Sequence, residues 1–184
     1  MFHWFSKDGN DAISILKRDH DTVKDLFEEF EKTKQHAAKK KIVAKALTEL
    51  KIHAAIEEEI FYPAVRAELA KDMMNEADEE HHVAKMLIAE LEKMTGKEDH
   101  YDAKFTVLAE NVRHHIKEEE SEMLSKARSL PIDFDALGAR VMQRKEALLA
   151  DGVPTFVEER VANPRADSPA RAAKKKRASK ARTA

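Results

Sequence analysis

Two stretches of this chain repeat each other, and the repeat restricts what it can fold into. Asp19-His20-Asp-Thr-Val23-Lys24-Asp-Leu26 aligns with Glu80-His81-His-Val-Ala84-Lys85-Met-Leu87 at an offset of 61 residues. His53-x-x-x-Glu57 aligns with His115-x-x-x-Glu119 at an offset of 62. Both copies carry apolar residues at spacings of three and four, the mark of a helix with one buried face. In the first copy the faces read Ile13, Leu16, His20, Val23, Phe27, Phe30 and Val43, Leu47, Leu50, His53, Glu57, Phe61, Ala64. In the second they read Ala77, His81, Ala84, Ile88, Leu91 and Phe105, Leu108, Val112, His115, Glu119, Met123. A helix pair used twice is therefore predicted, with ionisable groups in the middle of every buried stripe.

The rest of the chain agrees with helices. Glycine numbers only 4 and proline 5 against 37% charged residues, and no β-branched run bounded by turn residues reads as a strand. Helices are predicted over 12–34, 41–69, 72–94 and 101–129, with a shorter fifth over 133–149 that stops near Gly152. Asp8, Asn10 or Asp11 would cap the first, and a lysine-rich turn at 35–40 precedes the second. Pro63 removes a backbone hydrogen bond inside the second, so a kink or change of direction is expected there. Gly96 would end the third helix in a left-handed cap, and Pro131 ends the fourth. Short connections force consecutive helices to be antiparallel neighbours. The fold class is all-α: an up-down-up-down four-helix bundle with an extra C-terminal helix and a disordered basic tail. The expected organisation is a bundle over 10–130, an accessory helical segment over 131–163 and the tail over 164–184.

Buried together, the stripes bring six ionisable residues to the bundle centre: His20, His53, Glu57, His81, His115 and Glu119. An ionisable group left unpartnered in such a stripe costs several kcal/mol. Imidazole and carboxylate together suit iron, manganese or zinc, and six ligands exceed what one tetrahedral zinc uses. The two-fold repeat gives two metals, each with two histidines, sharing Glu57 and Glu119. Iron is favoured, because the set leaves open coordination positions at both ions. His81 rather than His82, and His115 rather than His114, lie on the stripes, so His82 and His114 are expected to face elsewhere, with Glu118 one helical turn from His114. Glu58 or Glu120 would orient a ligand histidine from outside. Tyr62 and Tyr101 read as packing residues.

These motifs have a known counterpart. The Asp-His near the start, His-x-x-x-Glu-Glu-x-x-x-x-Pro, Glu-His-His and Val-Arg-His-His-x-x-Glu-Glu-Glu, in this order over about Ile13 to Arg128, resemble the hemerythrin-like (HHE cation-binding) domain. The resemblance implies a four-helix bundle around a non-haem di-iron centre that handles O2, NO, peroxide or iron. Carried over by position, its ligands are the same six residues. One departure matters. The O2-carrying members have a fifth histidine a turn after the first on the third helix, where this chain has Lys85, which disfavours reversible O2 transport and leaves sensing, scavenging or low-turnover redox chemistry.

Charge divides the chain. Residues 164–184 hold eight Lys/Arg and one Asp, a net +7, while the remaining 163 residues carry −9. Such a tail suits salt-dependent, sequence-independent contact with nucleic acid or an anionic surface, or a solubilising terminus. An iron-responsive regulatory or nucleic-acid-associated stress protein using this tail is the alternative function. Cysteine is absent, which excludes disulfides and thiolate ligands. No apolar run approaches the length of a membrane span, and Met1-Phe-His-Trp-Phe5 is too short for a secretory leader. A cytoplasmic protein is expected, with a small diatomic or peroxide ligand as partner and an oligomeric state the sequence does not specify.

Overall fold

The structure is a computed structural model that describes residues 9–153. The tail over 164–184, the end of the accessory segment and Met1 to Phe5 lie outside the described residues. All regular structure among the described residues is helical: α1 (Ala12–Lys32), α2 (His36–Ile56), α3 (Lys71–Lys93), α4 (Tyr101–Glu118) and α5 (Phe134–Asp151). Helix α2 runs on through a π-helical turn (Glu57–Phe61) and a last α-turn (Tyr62–Val65), and α4 does the same through Glu119–Met123 and Leu124–Ala127.

Local chemistry explains the ends. Asp11 caps α1, its carboxylate accepting from the backbone N–H groups of Ile13 and Ser14 at 3.1 and 3.2 Å. Asp133 caps α5 through the N–H of Ala136 at 2.9 Å. The second helix starts earlier than its lysine-rich beginning suggests, at His36. Ala37, Ala38 and the lysines are good helix formers with no breaker among them, so the turn shrinks to 33–35. Helix α3 ends with an extended Met94 rather than in a glycine cap, and Gly96 takes its left-handed φ of 87° two residues later.

Pro63 sits in the first turn after the π-helical segment, where its missing N–H is tolerated. The π-turn itself has another origin, because the second copy forms one over Glu119–Met123 with Ser125 where the first has Pro63. In both copies the turn closes on the carbonyl of the glutamate from the buried stripe: Tyr62 N–H donates to Glu57, and Leu124 N–H to Glu119. Such one-turn widenings concentrate at functional sites.

Helix α1 packs on α2 and α3 on α4, while α2–α3 and α1–α4 contacts close the ring. Two apolar clusters fill it. One holds Val23, Phe27, Phe30, Leu47, Leu50, Ile88, Phe105 and Leu108. The other, toward the chain reversals at the opposite end, holds Ile13, Leu16, Ile56, Phe61, Met74 and Met123. The ionisable layer lies between them. Helix α5 covers only one side of the bundle, against α1, α2 and the first π-turn. Phe134, Leu137, Val141 and Leu148 are buried there, each contributing on the order of 1.5–3 kcal/mol. Arg144 holds Glu59 with two hydrogen bonds of 2.7 and 3.1 Å, and the buried Lys145 pairs with Asp19. Gly138 lets the helices approach this closely, since a Cβ there would fall 2.1 Å from the Asn10 carbonyl oxygen.

Candidate metal centre

Each inward face delivers its polar residues to one layer. His20, His53, His81 and His115 are no more than 7% exposed, Glu57 is 0% and Glu119 2%. His82 is half-buried and His36 and His100 are exposed. The His114 side chain is 63% exposed and meets Glu118 at 3.2 Å. The stripe register therefore separates the adjacent histidines as the sequence predicts.

The six form two groups whose donor atoms converge: His20, His53, Glu57 and Glu119 in one, Glu57, His81 and His115 in the other. Nε2 of His20 lies 3.0 Å from Nε2 of His53, and Nε2 of His81 lies 3.3 Å from that of His115. Glu57 joins the groups, with Oε1 3.1 Å from His53 Nε2 and Oε2 3.2 Å from His81 Nε2. Glu119 Oε2 lies 3.1 Å from His20 Nε2. Three of the four carboxylate oxygens of Glu57 and Glu119 face imidazole nitrogens at 3.1–3.2 Å, and none of the four has a well-formed hydrogen bond. Two fully buried carboxylates cost several kcal/mol unless cations meet them, and here those cations are protonated imidazoles or a metal that displaces their protons. Four imidazole nitrogens, turned in pairs toward the two groups, are the complementary donors. The residues present fit a metal.

Outer carboxylates hold His20, His81 and His115 by their other nitrogen, and a fourth stands farther from His53. His20 Nδ1 lies 2.9 Å from Glu120 Oε1, and His81 Nδ1 lies 2.9 Å from Glu58 Oε1. Each of these carboxylates comes from the opposite half of the repeat. His115 Nδ1 lies 2.7 Å from Glu80 Oε2, and His53 Nδ1 3.7 Å from Asp19 Oδ2. A carboxylate at Nδ1 fixes the tautomer with the Nε2 lone pair facing inward and raises its basicity. Glu58 and Glu120 are visible in the sequence as outer partners, but Asp19 and Glu80 are not singled out there. Their signal is the acid that precedes the stripe histidine in both copies. Lys24 approaches Glu120 at 3.4 Å and Lys85 pairs with Glu58, so the repeat extends to the cations that steady these carboxylates.

Burial alone would lower the His53 pKa, but Glu57 and Asp19 outweigh it and hold it at about 10. His81 is held at about 9 against the same burial by Glu57 and Glu58. Glu57 is held well below the usual carboxylate range by His53 and His81, despite its burial. Without a metal, the layer is a network of charged pairs.

Tyr62 is the break in symmetry. It packs as expected, but its hydroxyl also reaches His81 Nε2 at 3.2 Å, while Leu124 stands at the matching position. Burial, then Glu119 and Glu57, push its pKa well above normal, so the hydroxyl keeps its proton.

Two openings reach the layer. A cavity of about 30 Å³ touches all four histidines and is otherwise lined mainly by Val23, Leu50, Ala84, Ile88, Val112 and Ile116. From the other end, a polar cleft of about 320 Å³ reaches His115 and Glu119.

A helical bundle that buries two groups of histidine and glutamate donors defines a hemerythrin-like metal-binding protein. The chain belongs to the hemerythrin HHE cation binding domain family, whose pattern matches residues 11–127. The crystal structure of a hemerythrin HHE cation binding domain-containing protein from Mycobacterium kansasii shares the fold. Its TM-score is 0.65 at 22% identity, covering 83% of this chain and 98% of that one. A Nostoc sp. protein named as a DNA nickase is 24% identical over 139 residues, 71% of this chain and 40% of that protein. The chain thus spans about two fifths of the length of this curated relative. Among the described residues, no helix is long and apolar enough to cross a membrane.

Proposed function

We propose that the chain is a non-haem di-iron protein that binds O2, NO or peroxide in a sensing, scavenging or low-turnover redox role. His20, His53, Glu57 and Glu119 would hold one iron, and Glu57, His81 and His115 the other. The observation that carries this reading is Glu57, whose two buried oxygens face different histidine pairs. Iron in such a donor set supplies open positions for small ligands and one-electron redox chemistry.

The protein's own residues set what reaches that centre. The cavity beside the four histidines has room for a water-sized or diatomic molecule. Its apolar wall favours uncharged O2 and NO over hydrated anions. The outer carboxylates keep the imidazoles oriented, and the protonated Tyr62 hydroxyl offers a hydrogen-bond donor next to His81. Lys85 supports Glu58 in place of a fifth histidine, which favours sensing or scavenging over reversible transport. The test is metal content together with the ultraviolet-visible spectrum of protein purified in air. Close to two irons per chain with bands that respond to peroxide or NO supports the reading. Zinc, one metal or none after reconstitution overturns it.

The Nostoc relative's name and the +7 charge of residues 164–184 favour one second reading, an iron-responsive protein that contacts nucleic acid through its tail. DNA binding at low salt that persists after residues 164–184 are deleted would remove it.

A further inference from the structure

The two halves of the repeat differ in one systematic way. Glu76, Glu118 and Glu122 line the cleft that leads to His115 and Glu119, and His114 stands beside two of its lining residues, Glu80 and Glu118. The first-half positions aligned with Glu76, His114, Glu118 and Glu122 are Ile15, Ile52, Ile56 and Ile60. All four isoleucines are buried, and Ile15, Ile56 and Ile60 pack with Phe134, Leu137 and Val141 of α5. There Lys145 meets Asp19, whereas the aligned Glu80 faces the cleft and turns one oxygen to His115 and the other toward His114, 3.8 Å away. One approach to the layer is therefore plugged by isoleucines, α5 and a lysine ammonium. Its counterpart is open and acidic.

We propose that Glu80, His114 and Glu118 form an outer divalent-cation site that receives metal from solvent and passes it down the cleft to His115 and Glu119. This rests on the metal-centre reading above. One donor atom from each of the three lies within 4.8 Å of the others, an imidazole and two carboxylates suited to a first-row divalent ion. The floor of the same cleft is Glu119, 2% exposed, with neither oxygen hydrogen-bonded. A buried carboxylate with one oxygen against the His20 imidazole and the other without a hydrogen bond, beneath an acidic mouth, draws a cation inward. Glu80 spans the step, since one oxygen meets His115 of the buried layer and the other approaches the outer His114. Glu76 and Glu122 add negative charge to the mouth, and focusing of this kind raises capture rates by about 10–10³-fold. Lys126 is the one lysine among the residues that line the cleft, paired with Glu122 at 3.0 Å.

The test is Co2+ loading of the metal-free full chain, followed by stopped-flow absorbance and by equilibrium dialysis. His114→Ala/Glu118→Gln alters exposed side chains and leaves the six buried residues intact. It should reach the same two buried ions per chain about tenfold more slowly, and lose a third, weaker Co2+ seen in the wild type. Lys126→Glu should load faster. Equal loading rates in wild type and the double variant overturn the proposal. If neither protein loads the buried layer, the metal-centre reading fails, and the outer site then stands only if the wild type binds one Co2+ that the double variant does not.

Discussion

Oε2 of Glu57 lies 3.2 Å from Nε2 of His81, and the two residues come from different halves of the repeat. This contact turns two duplicated helix pairs into one site, because neither half alone holds more than two histidines and one carboxylate. Its consequences can be measured.

His53→Ala and His115→Ala should each cut the metal bound per chain, read by elemental analysis after reconstitution. His82→Ala should leave it unchanged, since that half-buried side chain belongs to neither donor group. Full metal content in the first two variants would return the six residues to a polar core network.

Glu80→Gln keeps the shape of the side chain but removes the negative charge at His115 Nδ1. A metal affinity about 10–100-fold weaker is expected, as for other partners that orient ligand histidines. Competition with a chromophoric chelator measures it. An affinity equal to wild type would mean that the 2.7 Å contact does not orient the imidazole.

Proton release offers a test from pH. Metal binding needs neutral imidazole, yet in the metal-free protein His53 titrates at about 10 and His81 at about 9. Both carry a proton at pH 8, so metal should displace one from each there, and log affinity should climb by about two units per pH unit below 9. Calorimetry in buffers of different ionisation enthalpy counts these protons; none at pH 8 would refute the raised values. The same shifts stabilise the metal-free fold in the opposite direction. Their contribution is complete below the unfolded histidine value and is lost as pH rises through about 9–10.

Gly138→Ala should destabilise the chain by at least about 1–3 kcal/mol, the ordinary cost of overpacking, because the new Cβ would meet the Asn10 carbonyl. Thermal unfolding reads the loss. Proteolysis should cut at α5 first, since the clash pushes that helix off α1. An unchanged Tm would show that α5 can shift without cost.

Lys145→Ala leaves the carboxylate of Asp19 buried without its ammonium partner. Breaking one side of a buried pair costs about 3–5 kcal/mol, and denaturant titration should show it. Loss of Arg144, whose side chain is 36% exposed, should cost far less, on the order of 0–1 kcal/mol.

Reading the sequence recovers the helices and the six buried residues for a simple reason. A period of 3.6 fixes which of two adjacent histidines faces inward, so His81 and His115 separate from His82 and His114 before any contact is known. The repeat adds their pairing. Short-range patterns do not carry what depends on a third element. Asp19 and Glu80 read as ordinary acids next to a histidine, and their reach to Nδ1 of His53 and His115 exists only once α1 lies beside α2 and α3 beside α4. The π-turns are equally silent, since one extra residue per turn leaves no periodic trace in five residues.

The amino-acid sequence by itself determined an all-helical duplicated bundle with histidine and glutamate at its centre, because burying an apolar stripe forces the polar residues within it to meet. Only the tertiary structure decided that the two halves are unequal. Docking α5 on one side seals Ile15, Ile56 and Ile60 against Phe134, Leu137 and Val141 and leaves Glu76, Glu118 and Glu122 facing an open cleft. A helix can cover only one of two equivalent faces. The apolar face is the one whose burial releases free energy, and the acidic one stays with water.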